Sequence, residues 1–358
     1  MFMGIVFGRG RWWGVRRLGV VLLAVGLVGC SLGKTSSSIV PSGPPDRSAG
    51  AFTTYVIPTL GSSPEAIAIG PDGNLWFTEF NKAQVGYITP QGVMGREFAF
   101  PNSTAASYAL TVGSDNNLWF TIFSLGKVGY VTTAGKFHLF NLSSPYARPI
   151  GIATGADGAL WFTESAASIN GQIVPAIGRI TTTGTITEYP IPNPVGTTTI
   201  AQMSVPQMIV RGPDDNLWFT DTGNNTIASI TPDGTITTYP IPTASSQPFT
   251  IIAGKSHDLW FTEQNAIGHL SITTGKITEY PLPTSGSGVR GLALGPDGAL
   301  WCSQFQTNTL SKMTPSGAFT AYPLDGNGER PDQMVFTSDG LLWFTAPGSN
   351  SIDAFALP

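Results

Sequence analysis

The chain has 358 residues, 18 basic and 22 acidic side chains and a formal net charge of −4, and only 11% of it is charged, less than half the share of an average soluble domain. A nucleic-acid binder working through a basic surface is excluded. Gly (43) and Pro (28) together make about a fifth of the chain, short of low-complexity composition, and 41% apolar residues are enough for a core.

In chain order, Arg9, Arg11, Arg16 and Arg17 precede an apolar run from Leu18 to Val28, and no acid occurs before Asp46, the charge and hydropathy order of a secretory signal. The run is too short to span a bilayer. It ends in Leu27, Val28, Gly29 and Cys30, which resembles the bacterial lipoprotein box, whose Cys is acylated and becomes the mature N-terminus; Arg16 and Arg17 also resemble a twin-arginine signal. An ordinary cleaved signal stays open as the alternative. The expected organisation is a signal peptide over 1–29, a lipidated Cys30 and a Ser/Pro/Gly-rich flexible tether over 30–50, and a folded body over 51–358. The expected location is extracytoplasmic, anchored to a bacterial membrane through the lipid alone, with a monomeric body. Loss of the four arginines takes the body to about −8, so anionic surfaces are poor partners for it. Cys302 is then the body's only thiol, which rules out an intrachain disulfide there, and its hydrophobic strand context predicts an inert core residue.

The body is one repeat. GPDGNLWFTE (70–79), GSDNNLWFTI (113–122), GADGALWFTE (155–164), GPDDNLWFTD (212–221), GKSHDLWFTE (254–263), GPDGALWCSQ (295–304) and TSDGLLWFTA (337–346) are seven copies. Their Trp residues, at 76, 119, 161, 218, 260, 301 and 343, are spaced 43, 42, 57, 42, 41 and 42 apart, the period of a four-stranded propeller blade. Each unit reads as an entering strand, a Gly turn, the Trp strand, a third strand such as QVGYIT (84–89), a second Gly turn and an outer strand such as TITEYPIP (185–192). The Trp and Phe side chains are read as core between facing sheets. Six outer segments follow their blades, from REFAF (96–100) to AFTAY (318–322), and the seventh, AFTTYVIP (51–58), precedes the first blade. The fold class is therefore all-β: a seven-bladed β-propeller with four antiparallel strands per blade, its ring closed by the N-terminal strand in the last blade.

LWFTE followed by IGRI or VGYI and then ITEYPIP is similar to the streptogramin B lyase (virginiamycin B lyase) family across residues 51–358. The resemblance implies a propeller that linearises a cyclic depsipeptide by Mg²⁺-assisted elimination. It also implies a His after the start of the innermost strand of blade 6, an acid, Pro and the catalytic His at that place in blade 7, and a Glu just after the last Trp strand. This chain has Arg290 at the first position, Arg330, Pro331 and Asp332 at the second set, and Ala346, Pro347 and Gly348 at the third. A guanidinium in place of a carboxylate repels Mg²⁺, and Asp332, the weak candidate for a base, is intrinsically less basic than His. His138, His257 and His269 fall in an outer strand, a turn and a third strand, and none is expected at the channel mouth.

Loops joining strand 4 to strand 1 and strand 2 to strand 3 share one face of a propeller. Glu164 to Gly178 spans 14 positions where Glu79 to Gly86 spans 7, and Pro190 to Pro206 spans 16 where Pro240 to Pro248 spans 8, so two inserted loops fall on that face. The ligand-binding candidates are the starts of the first strands, Glu65, Tyr108, Gln207, Phe249, Arg290 and Asp332, together with Arg330. The acids ending the second strands, Glu79, Glu164, Asp221 and Glu263, are either further candidates or structural acids satisfying backbone donors between blades. No metal-ligand spacing is identified. The expected function is binding of a small molecule or peptide on this face. The alternatives are a divergent streptogramin B lyase, which alone would need Mg²⁺ as cofactor, and a lactonase-like propeller hydrolase. Carboxylates converging around a cation-sized gap would favour an enzyme, and an Arg330–Asp332 ion pair filling it would favour binding.

Overall fold

In the computed structural model, the residues described are 43–192, 204–324, 326 and 328–358. The expected signal peptide, Cys30 and most of the second insertion lie outside them. Within them, 28 strands run in chain order from β1 (Phe52–Val56) to β28 (Ser351–Phe355) and form seven four-stranded antiparallel sheets. Six blades use four consecutive strands. The seventh joins β26 (Met334–Phe336), β27 (Leu342–Ala346) and β28 to β1, with Phe52 opposite Phe355 and Val56 opposite Ser351. The chain thus closes its own ring and removes the edge that β28 would otherwise expose.

Repeated residues have repeated jobs. Six of the seven Trp rings are fully buried, Trp260 being partly open. In blades 1 to 4 the Asp of the preceding turn accepts the indole N–H, at 3.0 Å for Asp72 and Trp76 and 2.9 Å for Asp214 and Trp218. The outer-strand aromatic covers the ring, as Tyr189 does for Trp161 with centroids 5.7 Å apart. The turn's leading Gly leaves room for this arrangement: a Cβ on Gly70 would lie 2.5 Å from Trp76 Cδ1. The third-strand Gly does the same for the Phe, since a Cβ on Gly178 would enter the Phe162 ring and approach Glu164 Oε1.

Two expectations change. The outer segment of blade 1 is a strand only at Phe98–Ala99, after an isolated bridge between Ile88 and Met94. The first insertion is not a loop: β11 (Leu160–Ile169) and β12 (Gln172–Ile180) continue pairing past a bulge, through Ala167 with Val174 to Ile169 with Gln172. Asn170 and Gly171, both with positive φ, close this hairpin, the turn type whose twist matches paired strands. Residues 43–50, at the end of the expected tether, touch the body, where Arg47 pairs with Asp339 and Tyr55 donates to the Gly43 carbonyl at 3.0 Å.

Candidate functional site

The site is built by one hydroxyl per blade. The Thr of LWFT, replaced by Ser303 in blade 6, accepts the backbone N–H near the start of its own innermost strand, as from Ala66 to Thr78 at 3.0 Å and from Gly151 to Thr163 at 2.9 Å. The same hydroxyl donates to a carbonyl on the next blade: Thr121 to Ile150 at 2.7 Å, Thr163 to Gln207 at 2.6 Å, Thr220 to Phe249 at 2.6 Å, Ser303 to Asp332 at 2.8 Å and Thr345 to Glu65 at 2.9 Å. These five bonds mark Glu65, Ile150, Gln207, Phe249 and Asp332 as equivalent positions around the channel mouth, and the repeat register adds Tyr108 and Arg290, each followed by the residue whose N–H the Thr121 or Ser303 hydroxyl accepts. In five blades the strand pairing slips here, as between Pro64 and Ile67, and such a bulge re-aims the side chain it carries. Two residues earlier the backbone is left-handed at Ser63, Arg148, Gln247, Gly288 and Arg330. Sequence reasoning missed Ile150, the blade 3 equivalent of the other first-strand starts, and Arg148, which lies two residues before it.

Three of the seven form one electrostatic unit. Asp332 is only 2% exposed, and its Oδ2 lies 3.6 Å from Arg290 Nη1. Burial first, then the adjacent Asp332 carboxylate, pushes Glu65 up to about 8. Burial also raises Asp332, against the pull of Arg290, the Glu65 carboxyl and Gln333. Two such close carboxyls titrate as a pair, Asp332 favouring the protonated form of Glu65 and Arg290 the ionised form of both. Burial, then the Glu65 carboxylate, raises Tyr108, which is also in contact with Arg290. Arg290 lies over Phe249 and Phe305, at 5.1 and 4.6 Å from their centroids, and Arg330 lies over Phe305 at 5.6 Å.

Two cavities share Arg290 and Phe305 as a wall. One, of about 330 Å³, is lined by Phe249 and four glutamines, Gln207, Gln247, Gln264 and Gln306. The other, of about 230 Å³, is lined by Ser63, Glu65, Phe80, Tyr108 and Arg330. The structure therefore brings together six of the seven sequence-derived ligand candidates in pairs and contacts, and places Gln207 in the first cavity beside Phe249.

The second-strand acids lie apart from these cavities, buried within their blades. Asp221 accepts from the backbone of Val205 at 2.8 Å, Gly223 at 3.1 Å and Asn224 at 3.2 Å, the structural role. Glu79, Glu164 and Glu263 are buried and retain unpartnered carboxyl oxygens. Burial, then Glu97, pushes Glu79 up to about 8; burial, then Glu279, does the same for Glu263; and burial, then Glu188, raises Glu164 well above its ordinary value. His138 stacks on Tyr130, His257 occupies a turn with φ 48°, and His269 pairs with Asp258 at 3.2 Å. Cys302 is buried, which pushes its thiol up to about 12.

The donors at the mouth do not fit Mg²⁺. The oxygen ligands that ion needs are here one carboxyl that burial and Asp332 push toward its neutral form, Glu65, and one that already faces a guanidinium, Asp332. A second guanidinium, Arg330, lines the same cavity as Glu65, and no group of three or more His, Cys, Asp or Glu side chains suited to a metal occurs among the described residues.

The sequence profile of the virginiamycin B lyase family matches residues 47–199 and 176–357. A streptogramin B lyase structure is 30% identical, with a TM-score of 0.77 over 86% of this chain and 98% of that one. A catalytically inactive virginiamycin B lyase from Staphylococcus aureus with quinupristin is 32% identical, with a TM-score of 0.77 over 86% of this chain and 99% of that one. The extracellular domain of a two-component system from B. thetaiotaomicron, 12% identical with a TM-score of 0.66 over 85% of this chain and 39% of that one, shares the fold alone. No protein with a curated functional description matches the chain. With nearly all of the propeller matched by the profile and by two lyase structures, the chain belongs to the virginiamycin B lyase family.

Proposed function

We propose that this protein is an exported, lipid-anchored propeller that binds a small molecule or peptide in the two joined cavities at its channel mouth. The single observation that carries the reading is the shared Arg290–Phe305 wall between a glutamine-lined cavity and an aromatic, charged one. Four side-chain amides supply both donors and acceptors and Phe249 and Phe305 supply flat apolar faces, a combination suited to a ligand bearing amides and rings. Export and anchoring are supported by the arginine-led apolar run and Cys30.

The second reading, a divergent carbon–oxygen lyase, is favoured by one observation, the Glu65–Asp332 pair. A carboxyl whose proton leaves at about 8 is suited to general acid–base work near neutrality. A hydrolase with a central metal has the less suitable donor set described above. The test is to titrate the purified chain with quinupristin, the ligand of the related structure, and to assay its linearisation with and without Mg²⁺. Saturable binding without turnover supports the binding reading. Turnover abolished by Glu65→Gln supports the second. Neither binding nor turnover removes depsipeptides from the candidates.

A further inference from the structure

The mouth carries more positive charge than the body around it. Six ion pairs occur among the described residues, and none engages Arg148 or Arg330. Both are exposed, both precede a proline with left-handed φ, and each rests on an aromatic ring from the strand 2 to strand 3 connection of the preceding blade: Arg148 on Phe123 at 5.9 Å and Arg330 on Phe305 at 5.6 Å. A guanidinium held over a ring by its charge still has N–H donors for another partner. Arg330, but not Arg148, lines the cavity of about 230 Å³, together with Arg290 and the aromatic walls of Phe80, Tyr108 and Phe305. The wall's acids do not cancel the charge. Asp332 faces Arg290 at 3.6 Å, burial and Asp332 hold Glu65 toward its neutral form, and Arg330 takes part in none of the six ion pairs.

Building on the ligand-binding reading above, we infer that this cavity takes an organic anion: a carboxylate held by the Arg330 fork, attached to an aromatic ring lying among Phe80, Tyr108 and Phe305. The volume suits a single ring with a short acid arm. A charged, bidentate contact recognises a carboxylate and discriminates against its neutral amide. A body that carries about eight net negative charges repels anions at long range, so the preference comes from this local pair of guanidinia and weakens with added salt.

The test uses two matched probes, 3-phenylpropionate and 3-phenylpropionamide, titrated into the purified full chain with binding read by NMR shifts at low and high salt. The expected result is at least tenfold tighter binding of the acid, narrowing at high salt. Arg330→Asn, which tolerates the left-handed backbone, should abolish the preference, and Arg211→Ala on the opposite face should leave it unchanged. Equal binding of acid and amide would overturn the anion inference while leaving the mouth a ligand site. A preference that survives Arg330→Asn would overturn the assignment to Arg330. No shift with either probe, in a chain that still binds quinupristin, would overturn the inference alone; no shift with any of the three would take the ligand-binding reading with it.

Discussion

Glu263→Gln should stabilise the protein above neutral pH and change little below pH 5. Glu263 is 2% exposed, and its Oε1 has no hydrogen-bond partner. Burial, then the Glu279 carboxylate, pushes its pKa from 4.5 up to about 8. Below pH 4.5 the folded and unfolded chains both hold the proton. Between 4.5 and 8 the folded chain keeps it and the unfolded chain releases it, so the folded state binds more protons and stability falls as pH rises. Above 8 both are ionised and the cost is complete. A shift of that size corresponds to at most about 5 kcal/mol, and solvent in the cavity that Glu263 lines with Glu279 reduces it to about 2 kcal/mol. Gln keeps the side chain's shape without the charge. Thermal melts followed by circular dichroism should therefore coincide for variant and wild type at pH 5 and separate by about 3–5 °C at pH 8.5, with the variant higher. Glu79 and Asp353, each also pushed up to about 8 chiefly by burial, give the wild type a melting temperature that declines over the same interval. Parallel curves for wild type and Glu263→Gln across pH 5–8.5 would refute the reasoning.

Thr163→Val removes both the acceptor for Gly151 N–H and the donor to the Gln207 carbonyl, and two orphaned buried groups should cost about 2–4 kcal/mol, read as a lower urea midpoint. Deleting residues 51–57 uncovers β28 along its whole length, so soluble yield or melting temperature should drop sharply; an unchanged melt would mean the ring closes otherwise. Cys30→Ala should move the protein from the membrane fraction to the soluble one, and continued detergent-dependent partitioning would count against lipid anchoring.

The repeat made the fold legible because every repeated residue serves the blade itself. Trp, Phe, Thr, Tyr and the turn glycines recur since each satisfies one demand of blade packing, so their spacing encodes blade number, strand order and the closing strand. The site is legible only as positions. Once the Trp register is known, the seven ring places follow by counting, which brought out Glu65, Tyr108, Gln207, Phe249, Arg290 and Asp332. What happens between them did not follow. The Arg290–Asp332 pair, the contact of the Glu65 and Asp332 carboxyls, and the placing of Arg330 over Phe305 join residues 25 to 267 positions apart in sequence. No periodicity reports on such contacts. The inserted hairpin was misread as a loop because its strand pairing is broken by a bulge after Glu164, which hides the alternation, although Asn170–Gly171 marks the turn.

The ring also separates stability from recognition, and that separation can be tested at one residue. The backbone of each mouth position is held by the Thr or Ser hydroxyl and by main-chain bonds, Asp332 N donating to the Thr345 carbonyl at 2.9 Å and Arg330 N to Asn308 Oδ1 at 3.0 Å. None of these uses the Arg330 side chain. Arg330→Glu should therefore leave the melting temperature within about 2 °C of wild type, the range expected of an exposed substitution, while reversing the charge at one wall of the cavity. The new carboxylate would stand on the cavity that Glu65 lines and would repel the carboxylate probe. By favouring the protonated form of its neighbour it should also raise the pH at which Glu65 loses its proton. The measurement is a pair of titrations on the same sample, 3-phenylpropionate affinity and the Glu65 carboxyl shift by NMR. Unchanged affinity with a normal melt would mean that Arg330 faces solvent rather than the ligand. A collapsed melt would mean that this side chain, and not the main chain alone, holds the start of blade 7.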